Sequence, residues 1–243
     1  MGDKRILIVG GGIIGLSTAW YLARRGAAVT VVDGARPAGS ASAGNAGLFA
    51  PGHPPLPRPG LSRLALRWLG DADAPLYIPP RPDLGLARWL WSFHRSCRED
   101  RVAECMGVLG PLGHLTLACW REMLAAIGSD CLWHGNGLLQ VYAGADAERL
   151  VAQEARLARQ HGFAADALDG DALRRREPAF TPAVGGAVDF ADGTGLDPGR
   201  FLADLLADLA RRGVEVREET PVRRLLRAGD RVRGAALADG DDL

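Results

Sequence analysis

Paired cysteine is absent from this sequence. Cys97, Cys105, Cys119 and Cys131 form no C-x-x-C motif, so free buried thiols in a reducing compartment are expected rather than a disulfide framework. The five histidines show no metal-ligand spacing, and no metal site is expected. An excess of one charge is lacking as well. Lys plus Arg and Asp plus Glu both number 29, which gives no reason to expect nucleic acid as a partner. No G-x-S-x-G or Cys/His signature marks a covalent nucleophile, and there is no internal repeat. The first apolar run does not end in a cleavage site. A cytoplasmic location is therefore expected, with peripheral contact at the inner face of the membrane left open.

What is present is ordinary in bulk and specific in detail. A chain of 243 residues, 47% apolar and 24% charged, suits a globular protein of one large or two modest domains. Residues 6–15 read ILIVGGGIIG, and no charge occurs from Ile6 to Ala23. Such a run is nearly long enough for a membrane span. However, Gly10, Gly11, Gly12 and Gly15 sit inside it, and each costs an isolated helix about 1 kcal/mol relative to alanine.

A dinucleotide-binding start accounts for the whole segment. Ile6 to Val9 suit a buried parallel strand. Gly10, Gly12 and Gly15 stand in G-x-G-x-x-G spacing, for the tight turn, the close approach to a pyrophosphate and the packing of helix on strand. A helix is expected over 13–25 with its stop at Gly26, followed by the strand VTVVD. Asp33 falls 23 residues after Gly10, where an acid can accept ribose hydroxyls. Free N–H groups and the positive end of the helix dipole favour phosphate at the turn.

After Asp33 a nicotinamide-binding fold would offer a third apolar strand, and none appears. Residues 34–60, containing GSASAGNAG and PGHPPLPRPG, read instead as an ordered loop of small residues lying against a ligand. Leu86, Trp89, Leu90, Phe93 and Cys97 fall near helical spacing, with Trp89 and Trp91 expected in core or inter-domain packing. A further helix is expected from Leu112 to Ile127. Then follow a strand in GLLQVYAG, a helix over 146–160, a brief helix before Pro178 and a strand in GGAVDF. Residues 197–213 form a helix with Asp197 as N-cap, Pro198 at its first position and Gly213 at its stop. GVEVREE is a strand, and VRRLLRAGDRVRGAAL a hairpin turning at Gly229-Asp230. The last three strands are expected in one sheet.

These residues resemble the small subunits of FAD-dependent D-amino acid dehydrogenases, within the D-amino acid oxidase group. The likeness rests on VGGGIIGLSTAWYLARRG, SAGNAG, RWLWSFHRSC, GLLQVY, EPAF and DPGRFLADLLADLARRGVEV in that order, across nearly the whole chain. It implies a mixed α/β fold: a Rossmann-like FAD-binding domain over 1–82 and 193–243, with a mixed α/β substrate domain inserted over 83–192. It assigns the FAD pyrophosphate to the turn of Gly10, Gly11, Gly12, Ile13, Ile14 and Gly15, and the adenosine ribose to Asp33. Ser42, Asn45, Ala46 and Gly47 would run beside the pyrophosphate and flavin, and the backbone of Val222 would contact adenine.

The activity implied is oxidation of a D-amino acid, or an imino acid such as hydroxyproline, to the imine and then to 2-oxo acid and ammonia. The electron acceptor, quinone or another, is left open, and no catalytic residue stands out. Members of the family continue beyond the last residues here. A chain of this length is therefore expected to need a complementing C-terminal half, without which it would be an incomplete or non-catalytic flavoprotein. A nicotinamide-dependent dehydrogenase is the remaining alternative.

Overall fold

The computed structural model describes residues 5–36, 41–55, 57–62, 65, 78–79, 81–133 and 135–243. In chain order these form β1 (Arg5–Val9), α1 (Ile13–Arg24), β2 (Ala28–Val32), β3 (Leu48–Phe49), α2 (Leu84–Ser96) and α3 (Glu99–Ile127). Next come β4 (Leu138–Ala143), α4 (Ala147–Gln160), β5 (Ala165–Asp169), α5 (Gly170–Arg176) and β6 (Val184–Phe190). The chain closes with β7 (Thr194–Gly195), α6 (Pro198–Arg211), β8 (Glu215–Arg217), β9 (Val222–Ala228) and β10 (Arg231–Leu237).

Two compact units divide the chain. The first holds residues 1–49, 120–134 and 194–243, and the second 50–119 and 135–193. The sequence reading put its boundaries at 82 and 192 and kept 120–134 with the inserted domain.

In the first unit β1, β2 and β8 form a parallel sheet in that order, with Arg5 beside Ala28 and Thr30 beside Glu215. Parallel strands need a crossover between them, and α1 supplies it between β1 and β2. α1 and α6 pack together over the sheet, burying Leu16, Ala19, Trp20, Phe201, Leu205 and Leu209 with Val29 and Val31. The periodicity of α6 makes this possible, since its buried residues Phe201, Leu202, Leu205, Asp208 and Leu209 share one face. Asp197 caps α6 by accepting the Arg200 N–H at 3.0 Å, and α1 and α6 stop before Gly26 and Gly213 as expected. A polar pair lies in this core: Trp20 Nε1 donates to Asp208 at 2.8 Å.

The second unit is built on an antiparallel sheet ordered β4-β6-β5. α4 covers it, burying Val151, Ala155 and Ala158 against Tyr142, Val188 and Phe190. β4, α4, α5 and β6 fall where the sequence places them, while β5, paired with β6, was not expected from the sequence.

Four expectations are corrected. The helix expected from Leu112 begins at Glu99 and runs through Pro111, a residue that removes one backbone donor. Val102, Met106, Gly110, Gly113 and Leu117 form a buried stripe along it, and this packing outweighs the local break. Trp89 and Trp91 are 54% and 65% exposed and are not core residues; Trp89 stacks instead on Phe93 within α2. The segment 34–60 contains a strand, β3, paired with β7, while its residues 37–40 and 56 lie outside the described residues. Finally, β9 and β10 form a two-stranded sheet of their own, apart from β8. Glu219, at φ 52°, turns the chain between β8 and β9.

Candidate functional site

The turn after β1 is made by two glycines that nothing else could replace. Gly10 sits at φ 112° and donates its N–H to Val32 O at 2.8 Å, continuing the ladder past the strand. At Gly15 a Cβ would lie 1.9 Å from Gly10 O, so only glycine lets α1 start this close to β1. Gly12 is the N-cap of α1 and has no capping side chain of its own.

Two remote residues come to this turn. Asp33, at the end of β2, accepts the Gly11 N–H at 2.5 Å and the Ala35 N–H at 2.7 Å. Ser42 Oγ accepts the Ile13 N–H at 3.0 Å. The backbone N–H groups of Gly12 and Ile14 have no acceptor among the described residues. They remain, with the helix dipole, directed at whatever occupies the turn. Val9 and Ile14, on either side of the turn, stand 55% and 82% exposed, and Leu48 of β3 64%.

The segment Ser42 to Gly47 is held by its own hydrogen bonds. Asn45 donates from Nδ2 to Ser42 O and accepts the Gly47 N–H at 2.7 Å. Gly47 O in turn accepts the Leu196 N–H at 2.9 Å, and Ala46 is exposed. Val222 opens β9 opposite Leu237. Its neighbourhood reaches Asp33 through Thr220, whose N–H donates to Asp33 O at 2.7 Å, but Val222 itself makes no hydrogen bond to the turn.

Sequence reasoning missed an aromatic group beside this segment. A cavity of about 130 Å3 is lined by Ile13, Ser42, Asn45, Gly47, Phe49 and Trp120, among others. Phe49 stacks on Trp120 at 5.5 Å and 27°, and Trp120 meets Phe201 at 4.4 Å. The Trp120 Nε1 is buried without a hydrogen-bond partner among the described residues. Phe49 could have been noticed from its place directly after SAGNAGL. Trp120 could not, because 71 positions (120 less 49) separate it from Phe49.

A parallel β-α-β unit with a glycine turn, an acid at the second strand end and acceptor-free N–H groups defines a dinucleotide-binding protein. The chain belongs to the FAD dependent oxidoreductase family (DAO), which matches residues 5–242. FAD is that family's cofactor, and the nicotinamide alternative is thereby set aside.

A D-amino acid dehydrogenase from Methylobacterium nodulans is 32% identical over 245 residues, covering 98% of this chain and 58% of that protein. Glycine oxidase from Bacillus cereus ATCC 14579 matches with a TM-score of 0.65 at 20% identity, over 98% of this chain and 52% of that one. L-α-Glycerophosphate oxidase from Mycoplasma pneumoniae, dithionite-reduced with FAD bound, matches with a TM-score of 0.63 at 15% identity, over 98% and 50%. The two structural likenesses show a shared fold. The chain spans little more than half the length of these relatives.

Proposed function

We propose that this chain forms the FAD-holding part of an enzyme that oxidises the CH–NH bond of D-amino acids, or of an imino acid such as hydroxyproline. The imine would then hydrolyse to a 2-oxo acid and ammonia. The observation that carries the proposal is the meeting of Asp33 and Ser42 at the N-terminus of α1, which leaves the N–H groups of Gly12 and Ile14 for a diphosphate.

In this reading the turn from Gly10 to Gly15 takes the FAD pyrophosphate, with Gly11, Ile13 and Ile14 contributing backbone. Asp33 takes the adenosine ribose. Each of its oxygens already accepts one N–H, and a carboxylate oxygen keeps a second lone pair for a hydroxyl donor. Ser42, Asn45, Ala46 and Gly47 border the pyrophosphate and flavin, and the Val222 backbone meets adenine. The first unit is the FAD-binding domain and the second the substrate domain. FAD supplies the two-electron oxidation; this chain's residues bind, orient and exclude water.

Because the chain spans 58% of the dehydrogenase it resembles, turnover is proposed to need the remaining portion, in the same polypeptide or as a complementing one. An electron acceptor such as a quinone, and a cytoplasmic location with or without contact at the inner membrane face, complete the proposal. The test is dye-linked oxidation of a panel of D-amino acids and D-hydroxyproline, by the 243-residue chain with and without a co-expressed downstream portion. Turnover in the combined sample alone is expected. Turnover of neither sample on any substrate would overturn the substrate class, and full turnover by the chain alone would overturn the need for the remainder.

A further inference from the structure

Glu154 is a buried carboxylate that nothing among the described residues of the second unit satisfies. It sits on α4, 6% exposed, and its Oε1 has no hydrogen-bond partner among the described residues. The two nearest basic side chains stand off. His53 Nε2 lies 3.7 Å from Oε1 and Arg58 Nη1 3.8 Å from Oε2, both beyond hydrogen-bond reach. His53 is itself engaged, through Nε2 with Gln140 Oε1 and through Nδ1 with Pro54 O. Burial pushes the Glu154 carboxyl above its ordinary range, while the charges of His53 and Arg58 pull the other way. Native proteins rarely leave such a group unpaired.

Glu154 borders a cavity of about 190 Å3 between the loop around Arg58, the start of α3 and one face of α4. Leu150 and Leu157, one helical turn to either side of Glu154, give it an apolar wall. Its charged lining is Arg58, Arg156, Glu99 and Glu154, two of each sign. Neither Glu99 nor Arg156 forms an ion pair among the described residues. A purely anionic ligand would meet the unpaired Glu154 oxygen, and a purely cationic one would meet Arg156. A neutral apolar ligand would leave Glu154 Oε1 as it is now.

We infer that this cavity is a second small-molecule site, for a zwitterion with an aliphatic side chain: an amino acid whose ammonium meets Glu154 Oε1 and whose carboxylate meets Arg156. The site lies wholly within the second unit and needs no flavin, so it stands or falls separately from the FAD-binding proposal.

The experiment is calorimetric titration of the purified 243-residue chain, without added flavin and at mildly alkaline pH. The probes are D-leucine and L-leucine, with 3-methylbutylamine and 4-methylpentanoate as single-charge controls. Leucine of at least one hand is expected to bind, and each control about tenfold or more weaker, because each loses one charge-assisted pairing. Glu154→Gln and Arg156→Ala are each expected to weaken leucine by a similar factor. Arg156 is solvent-exposed, so its replacement decides the matter even where Glu154→Gln does not fold. Failure of both leucines to bind overturns the inference. So does a control that binds as tightly as leucine, or wild-type affinity in Arg156→Ala.

Discussion

The Asp33 carboxylate accepts the backbone N–H of Gly11 at 2.5 Å, across 22 residues of chain. The same side chain accepts the Ala35 N–H, so it braces the turn and the start of the following loop together. Asp33→Ala removes both bonds as well as the partner proposed for the ribose. Loss of a charge-assisted bond costs about 1.5–3 kcal/mol. FAD affinity, followed by quenching of flavin fluorescence, should therefore fall by roughly 10- to 150-fold. An unchanged dissociation constant would mean that Asp33 only closes the strand.

Gly12 and Gly15 should fail in different ways. A Cβ on Gly12 would meet Ser42 Oγ at 3.1 Å, a contact that small shifts relieve, so Gly12→Val should fold yet lose flavin by filling the pyrophosphate space. A Cβ on Gly15 would meet the Gly10 carbonyl at 1.9 Å, so Gly15→Ala should lower the melting temperature before any ligand is added. Thermal unfolding combined with the flavin-to-protein absorbance ratio separates the two. Full flavin content in Gly12→Val would refute the cradle.

Asp208 links acid stability to the core of the first unit. Its carboxylate receives Trp20 Nε1 at 2.8 Å and pairs with Arg211 and Arg212. Burial pushes its pKa up, but the bonds from Arg212, Trp20 and Arg211 outweigh this and leave it below the ordinary value. A depressed folded-state pKa contributes stability that is present above the unfolded value, about 3.9, and is lost as pH falls through the folded one. Asp208→Asn should cost about 1.5–3 kcal/mol near neutrality, and its deficit relative to wild type should shrink below about pH 4. Urea unfolding across that range checks it; a deficit that does not vary with pH would show that the charge is irrelevant.

Pro111 interrupts the hydrogen-bond ladder of α3 without ending the helix. Pro111→Ala supplies the missing donor and a better helix former, and should stabilise the chain by about 1–3 kcal/mol. Thermal melts should show a higher midpoint. A lower one would mean that proline at this position is needed for the packing of the glycines at 110 and 113.

The strand-turn-helix-strand opening was legible because every part of it is local. Gly10, Gly15 and Asp33 carry their meaning in spacing, and a β-strand and the helix after it need only consecutive residues to declare their periods. Capping at Asp197 and the stops at Gly26 and Gly213 were legible for the same reason. Ser42 and Gly47 entered through likeness to a family. Their spacing alone does not say that Ser42 Oγ reaches Ile13.

Tertiary structure decided what depends on contacts between distant segments. α3 crosses Pro111 because its buried stripe repays the lost donor, and a stripe is recognised only when its covering is known. Trp89 and Trp91 look like core residues by type, yet their exposure is set by which elements fold over α2. Trp120 joined Phe49, and Glu154 came to face Arg58 and His53, through chain paths that no local period encodes. Apolar pattern tells a residue to be buried somewhere; only the assembled fold chooses its neighbours.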